Sequence, residues 1–238
     1  MQRNKQVEFD EEVIKAEVVR RYKRLIVDIK LRDDSIVPAF CSDENIYPNL
    51  YDKGADLWVS RIKSKFRKLR YEVQAINKGD GWVMVNQRIV PKLFVEAFKN
   101  RKMSDFTQYS KIRHMTLADK LPHLDFELSN NQEKCYVSLR PIYNKQDGKA
   151  VFPSKVNFFD MEMFEEMKQM RVLGCRTVVV LIVPRMDCLE TKFSWNIDPI
   201  SAARIFEEAK NGLEFVCYGC NLDKKSITIA NKMNISVK

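Results

Sequence analysis

Leu25, Val27, Ile29 and Leu31 alternate with mostly polar partners, the period-two pattern of a strand with one face buried. The Asp33-Asp34 turn signal leads to a second such segment over 35–41. A loop over 42–53 follows, then Lys53-Gly54 turns into a third strand over 55–60, and 70–76 is a fourth. Short strands at this spacing predict a small β-barrel of the OB type. Residues 1–16 are polar and read as a lead-in, which assigns the barrel to 17–80.

Gly79-Asp80-Gly81 is the clearest break in the chain, and beyond it the pattern changes. Residues 82–86 form a short strand. Residues 91–100 read as a helix with Pro91 in its first turn and Leu93, Phe94 and Ala97 on one side. Residues 109–117 are a strand or an extended connection. Residues 122–128 and 135–140 read as two strands joined by a polar turn, and 146–149 as another turn. Phe159, Met163, Phe164, Met167 and Met170 recur at helical spacing over 159–173, a stripe whose ordinary use is core packing. Gly174 ends that helix. Residues 176–183, short, β-branched and bounded by Gly and Pro, predict a fully buried strand. Asp198-Pro199 opens a helix over 200–211 closed by Gly212, and strands over 213–218 and 226–229 complete the sheet. Strand–helix–strand order predicts a mixed α/β domain over 81–238.

Charge narrows the choice of partner. The chain of 238 residues carries 41 Lys and Arg against 32 Asp and Glu, a formal net charge of +9, which favours polyanions and nucleic acid above all. Of the six cysteines only Cys217 and Cys220 have CxxC spacing, and no second pair completes a zinc site. Scattered singly in apolar segments, they predict buried thiols in a reducing, intracellular compartment. No secretory signal precedes the fold, and Glu8, Asp10, Glu11 and Glu12 blur any organelle-targeting pattern. The longest apolar run, 177–184, is too short to span a bilayer, so no membrane is expected.

Two basic clusters bear on the barrel. Arg20, Arg21, Lys23 and Arg24 precede its first full alternation. Arg61, Lys63, Lys65, Arg67, Lys68 and Arg70 share a ten-residue stretch with Phe66 and no acidic residue. Cations beside a barrel face suit phosphates, and Phe66 could stack on a base; the alternative is a solvated hairpin tip.

The second domain holds the candidate chemistry. Asp125 lies on one predicted strand, and Ser138 and Arg140 lie two apart on the next, so the latter two share a face. Metal-dependent nucleases place an Asp and a Glu-x-Lys in this way. Here a neutral hydroxyl replaces the carboxylate, and a guanidinium that cannot act as a base replaces the lysine. Such a site predicts no metal and an Asp125–Arg140 bidentate pair, or an Arg140 free to bind phosphate. A relocated Mg²⁺ or Mn²⁺ site would draw on Glu127 or on Glu96 of the helix over 91–100. His114 and His123, the only histidines, are weak metal cues.

Ordered motifs place the chain in a family. Arg21-Tyr22-Lys23-Arg24 with Asp28, Phe40-Cys41 with Leu50 and Gly54, and Gly81-Trp82-Val83 with Asn86, Pro91 and Glu96-Ala97 resemble segments of the sugar fermentation stimulation protein family. Tyr109, Ile112-Arg113, Asp125-Phe126, Cys135-Tyr136-Val137, Gly148, Phe152-Pro153, Gly174, Arg185 with Asp187, and Ile197-Asp198-Pro199 continue the match in order. The resemblance covers the chain from about residue 17 onward. It implies an OB-like domain, a domain akin to the PD-(D/E)xK nucleases, and DNA binding. The chain also departs from the pattern. The family's acidic and basic pair falls on Ser138 and Arg140, its Asp, Arg-Gly and His near 154–164 are missing, and its loop glycine is absent over 41–47. The expectation is therefore a nucleic-acid-binding protein, of DNA or RNA, with an inactive nuclease-like domain. One alternative is an accessory subunit of a nucleoprotein assembly, with Phe66 and Tyr47 as protein contacts. Another is a nuclease with relocated ligands.

Overall fold

A computed structural model describes residues 6–9, 11–42, 50–77, 79–153 and 161–236. The chain divides into two compact units, 1–93 with 184–187 and 220–228, and the remainder.

The first unit is built on β1 (Val7–Glu8), β2 (Val13–Lys23), β3 (Ile26–Lys30), β4 (Ile36–Phe40), β5 (Asp56–Arg61), β6 (Tyr71–Asn77) and β7 (Trp82–Met84). Strands β2 to β6 close into a five-stranded barrel. They run β4-β3-β2-β5-β6, and the ring is sealed by parallel pairing of Ala39 with Tyr71 and Phe40 with Glu72. The long β2 serves two neighbours, β5 through its first half and β3 through its second. Two register shifts in its pairing with β3 give it the bend that closure needs. Alternation fills the interior: Val18, Val27, Ile29, Ala39, Leu57, Val59, Val73 and Ala75 are all fully buried. The OB-type barrel expected from the sequence is therefore present.

Its boundaries differ from the expectation at both ends. Strand β2 begins at Val13, and Val7 pairs with Ile227, so part of 1–16 is barrel-unit structure and not a lead-in. Gly79 and Gly81 take positive φ, and Asn77 accepts hydrogen bonds from both amides. That makes the break a tight turn inside the first unit, because Trp82–Met84 returns to pair with β6 and Trp82 stacks on Trp58 at 3.8 Å. The expected loop over 42–53 lies largely outside the described residues.

The rest of the chain adds α1 (Val90–Lys99), β8 (Lys111–His114), β9 (Phe126–Ser129), β10 (Lys134–Pro141), β11 (Lys145–Gln146), β12 (Lys149–Phe152), α2 (Met161–Val172), β13 (Arg176–Val183), β14 (Thr191–Phe193), α3 (Pro199–Lys210), β15 (Glu214–Leu222), β16 (Ser226–Met233) and β17 (Ile235–Ser236). The main sheet runs β16-β15-β13-β10-β9-β8, with β10, β13 and β15 parallel and β8 to β10 antiparallel. Methionines 163, 167 and 170 of α2 pack with Val179, Leu181 and Ile205 on one face, as the helical stripe predicts. Phe94 of α1 meets Phe126 at 5.1 Å on the other. A second small sheet, β11-β12-β14-β17, was not foreseen; its strands are two to four residues long, too short to show a period. Its first hairpin turns on Asp147 and Gly148, both at positive φ.

Candidate functional site

Asp125 sits just ahead of β9, and its amide donates to the Val137 carbonyl at 2.9 Å, so it continues the ladder with β10. Beside it the Leu139 amide donates to Asp125 Oδ2 at 2.7 Å and the Ser138 hydroxyl reaches the same oxygen at 3.5 Å. Arg140 Nη1 stands 3.9 Å from Oδ2 and donates to the Leu139 carbonyl at 2.8 Å. The three residues singled out from the sequence thus converge. The bidentate Asp125–Arg140 fork does not form, because Arg140 meets the carboxylate at ion-pair distance and turns an N–H to its own backbone instead. Burial pushes the Asp125 carboxyl above the ordinary aspartate range, by more than the Leu139 amide, Arg140 and Ser138 pull it down. Ser138 is fully buried, and its hydroxyl also donates to the His123 carbonyl at 3.2 Å.

Neither carboxylate considered as a relocated ligand is at hand. Glu127 lies opposite Tyr136 and accepts from Arg113 (3.0 Å), Lys134 (3.3 Å) and the Tyr136 hydroxyl (3.1 Å). Burial pushes Glu127 up, but these donors outweigh it and hold the group below the usual glutamate range. Glu96 rides on α1, whose Phe94 packs on Phe126, and Phe126 faces away from Asp125 by strand alternation. A carboxylate that was not foreseen holds His123, two residues before Asp125. Glu166 of α2 accepts from the His123 amide at 3.1 Å and meets His123 Nδ1 at 2.6 Å. It is buried on α2 among Met163, Met167 and Met170. His114 packs its ring on Phe126 at 4.2 Å. Among the described residues no group of three or more His, Cys, Asp or Glu side chains comes together. The groups around Asp125 fit a divalent cation poorly: one carboxylate, one buried hydroxyl and a fixed guanidinium alongside.

The paired cysteines are no zinc cue either. Cys217 and Cys220 are three apart on one strand, β15, so their side chains leave it in opposite directions. Burial pushes the Cys217 thiol up to about 12.

On the barrel, the two basic clusters lie at two connections, the first mostly on the last residues of β2. Arg20, Arg21, Lys23 and Arg24 lie at the β2–β3 corner, and 62–70 forms the β5–β6 connection, pinned by the Ile62 amide on the Arg70 carbonyl at 2.8 Å. Arg61, Lys63, Lys65, Phe66, Arg67, Lys68 and Arg70 are all exposed, Phe66 at 99%. Several cations are already engaged. Arg20 Nε donates to Asp28 at 2.9 Å, the Arg21 guanidinium lies 4.2 Å from the centre of the Tyr51 ring, and Lys63 pairs with Glu11. A cleft of about 520 Å³ opens beside the β5–β6 connection. Arg61, Lys63 and Arg67 line it, with Arg88 and Lys92 from the segment after β7. The last two were not foreseen, because Gln87-Arg88 reads as the lead-in to a helix and nothing in the sequence says that it turns toward β5 and β6. Arg88 pairs with Glu72 there, and Gln74 and Asn86 form part of the wall.

A family model described as "Sugar fermentation stimulation protein RE domain" matches residues 88–226, and one described as "SfsA N-terminal OB domain" matches 19–85. A sugar fermentation stimulation protein homolog of Geotalea daltonii is 26% identical over 223 residues, 94% of this chain and 96% of that protein. One from Saccharophagus degradans is 25% identical over 232 residues, covering 96% and 100%. Among solved structures, the one titled "The structure of Pyrococcus Furiosus SfsA in complex with Ca2+" superposes with a TM-score of 0.80 at 14% identity, over 98% of this chain and 99% of that one. No helix among the described residues is long and apolar enough to cross a membrane.

Proposed function

The chain belongs to the sugar fermentation stimulation protein family, and from that premise we propose that it binds nucleic acid through its barrel and that its nuclease-like domain does not cut. One observation carries the first part. The two basic clusters lie at the connections between the first and second and between the fourth and fifth barrel strands, the loops with which OB folds hold oligonucleotides. The exposed Phe66 between Lys65 and Arg67 supports a stacking contact within the same loop. DNA and RNA are both candidates. No cofactor is required.

The second part follows from charge. Hydrolysis of a phosphodiester by this class of centre needs carboxylates around Mg²⁺ or Mn²⁺ and a group that positions water. The Pyrococcus protein is titled as a Ca²⁺ complex. In this chain, Arg140 puts a permanent positive charge 3.9 Å from the Asp125 carboxylate, and Ser138 offers no carboxylate of its own. An anion suits that position better than a cation, so the domain is read as one that holds a phosphate without breaking it.

Fluorescence anisotropy with labelled DNA and RNA at low salt tests the binding. Affinity should fall steeply as salt rises, and no affinity for either polymer would remove the proposal. Incubation with Mg²⁺ or Mn²⁺ and single- and double-stranded substrates tests the second part. No cleavage is expected, and cleavage abolished by Asp125→Ala would overturn it.

A further inference from the structure

The wall of the barrel cleft is a built hydrogen-bonding surface. Ser60, Gln74 and Asn86 line it with relative exposures of only 5%, 5% and 7%. They form a chain: the Arg88 amide donates to Asn86 Oδ1 at 3.2 Å, Asn86 Nδ2 donates to Gln74 Oε1 at 2.8 Å, and Gln74 Nε2 donates to Ser60 Oγ at 2.9 Å. Its direction is fixed. A backbone N–H can only donate, so Asn86 must turn its oxygen toward Arg88 and its nitrogen toward Gln74. Gln74 must then turn its nitrogen toward Ser60. Asn86 Oδ1 is further occupied by the Ser42 hydroxyl at 3.3 Å. What remains is mostly donors, the Ser60 hydroxyl proton and the second N–H of each amide, against one further lone pair on each of Gln74 Oε1 and Ser60 Oγ. Around this wall stand five basic side chains against two acidic ones, and the Arg67 and Arg88 guanidiniums lie 5.5 and 5.8 Å from the Phe40 ring centre.

We infer that this cleft is a pocket for one unstacked nucleotide, with a base that carries two carbonyls and no exocyclic amine (thymine or uracil) on the Ser60–Gln74–Asn86 wall and its phosphate on the cationic rim. The inference rests on the nucleic-acid reading above. Its volume of about 520 Å³ is in the range of pockets that enclose a small ligand. A base paired in a duplex cannot present its edge to a buried wall; a single strand can. A wall on which donors outnumber open lone pairs favours a base edge of carbonyl oxygens over one with an exocyclic amine in their place, which leaves more donors facing donors. The flat guanidiniums of Arg67 and Arg88 suit the faces of a base.

The test uses the full chain and single strands of about twelve nucleotides. Oligo(dT) and oligo(dC) are compared because both are flexible pyrimidine runs, so that their difference reports the base edge and not stacking. Oligo(dT) is expected to bind about tenfold tighter, the worth of one or two discriminating hydrogen bonds. Gln74→Leu should bring the ratio of the two affinities to about one. Ser60→Ala, which removes a single hydroxyl, should also lower it and serves if the leucine variant does not fold. Equal affinities in the wild type, or a preference that persists in both variants, would overturn the pocket while leaving nucleic-acid binding intact. Tighter binding to a duplex than to either strand would do the same. Failure to bind any oligonucleotide would remove the proposed function as well.

Discussion

At the scale of single residues, Asp125 is the most informative side chain. Its convergence with Ser138 and Arg140 was legible from strand spacing, since residues two apart share a face and a polar turn brings the strands together. The geometry of the contact was not. Whether a guanidinium forks onto a carboxylate or reaches back to a main-chain carbonyl depends on rotamers that spacing leaves open, and Arg140 does the latter. Because burial raises the Asp125 carboxyl above its ordinary value, ionisation costs more in the folded than in the unfolded chain. Its contribution to stability is therefore full below the unfolded value and is lost as pH rises through the folded one. Asp125→Asn keeps an acceptor for the Leu139 amide but cannot ionise. The variant should gain on the wild type as pH rises from about 4 to about 7, by less than about 1 kcal/mol because the carboxyl still meets water. Melting temperatures of both proteins across that range check it, and a difference that does not change with pH would contradict it. Phe66 gives a complementary case. With 99% of its surface exposed it holds no core together. Phe66→Ala should leave the melting temperature unchanged and weaken single-strand binding about tenfold, within the usual worth of one stacked base.

At the scale of elements, long periodic segments were readable and short ones were not. The buried strand β13 was expected over 176–183 and stands at Arg176–Val183; the helices over 91–100, 159–173 and 200–211 appear as α1, α2 and α3. The small sheet of β11, β12, β14 and β17 offers too few residues for either period to register. Equally illegible were charges buried between elements. Glu208 reads as a solvated helix residue, yet it is 1% exposed and pairs with Arg171, so α3 is tied to α2. Arg204 approaches the same carboxylate at 2.9 Å and Arg171 donates to Thr177 at 3.2 Å. Removing one partner of such a pair leaves the other buried and unmatched. Glu208→Gln should therefore cost about 3 kcal/mol in urea unfolding. A loss under about 1 kcal/mol would mean that the pair is solvated and that α2 and α3 are held by their apolar contacts alone.

At the scale of the whole molecule, a formal charge of +9 admits two explanations of any affinity for a polyanion. Either the net charge attracts nucleic acid from a distance, or particular cations sit on particular phosphates. Salt separates them. Each phosphate neutralised by a bound cation releases counterions, so the slope of log affinity against log salt counts contacts, about 0.7 per contact on a single strand. Diffuse attraction responds to net charge wherever it is placed. Replacing Lys65, Arg67 and Lys68 of the β5–β6 connection by alanine should therefore flatten the slope by about 2. Replacing Lys99, Lys168 and Lys210, which are exposed on α1, α2 and α3, removes the same charge and should leave the slope unchanged. If both triple variants lose equally, the barrel loop is no more than part of a basic surface, and the cluster over 61–70 has to be read as a solvated tip.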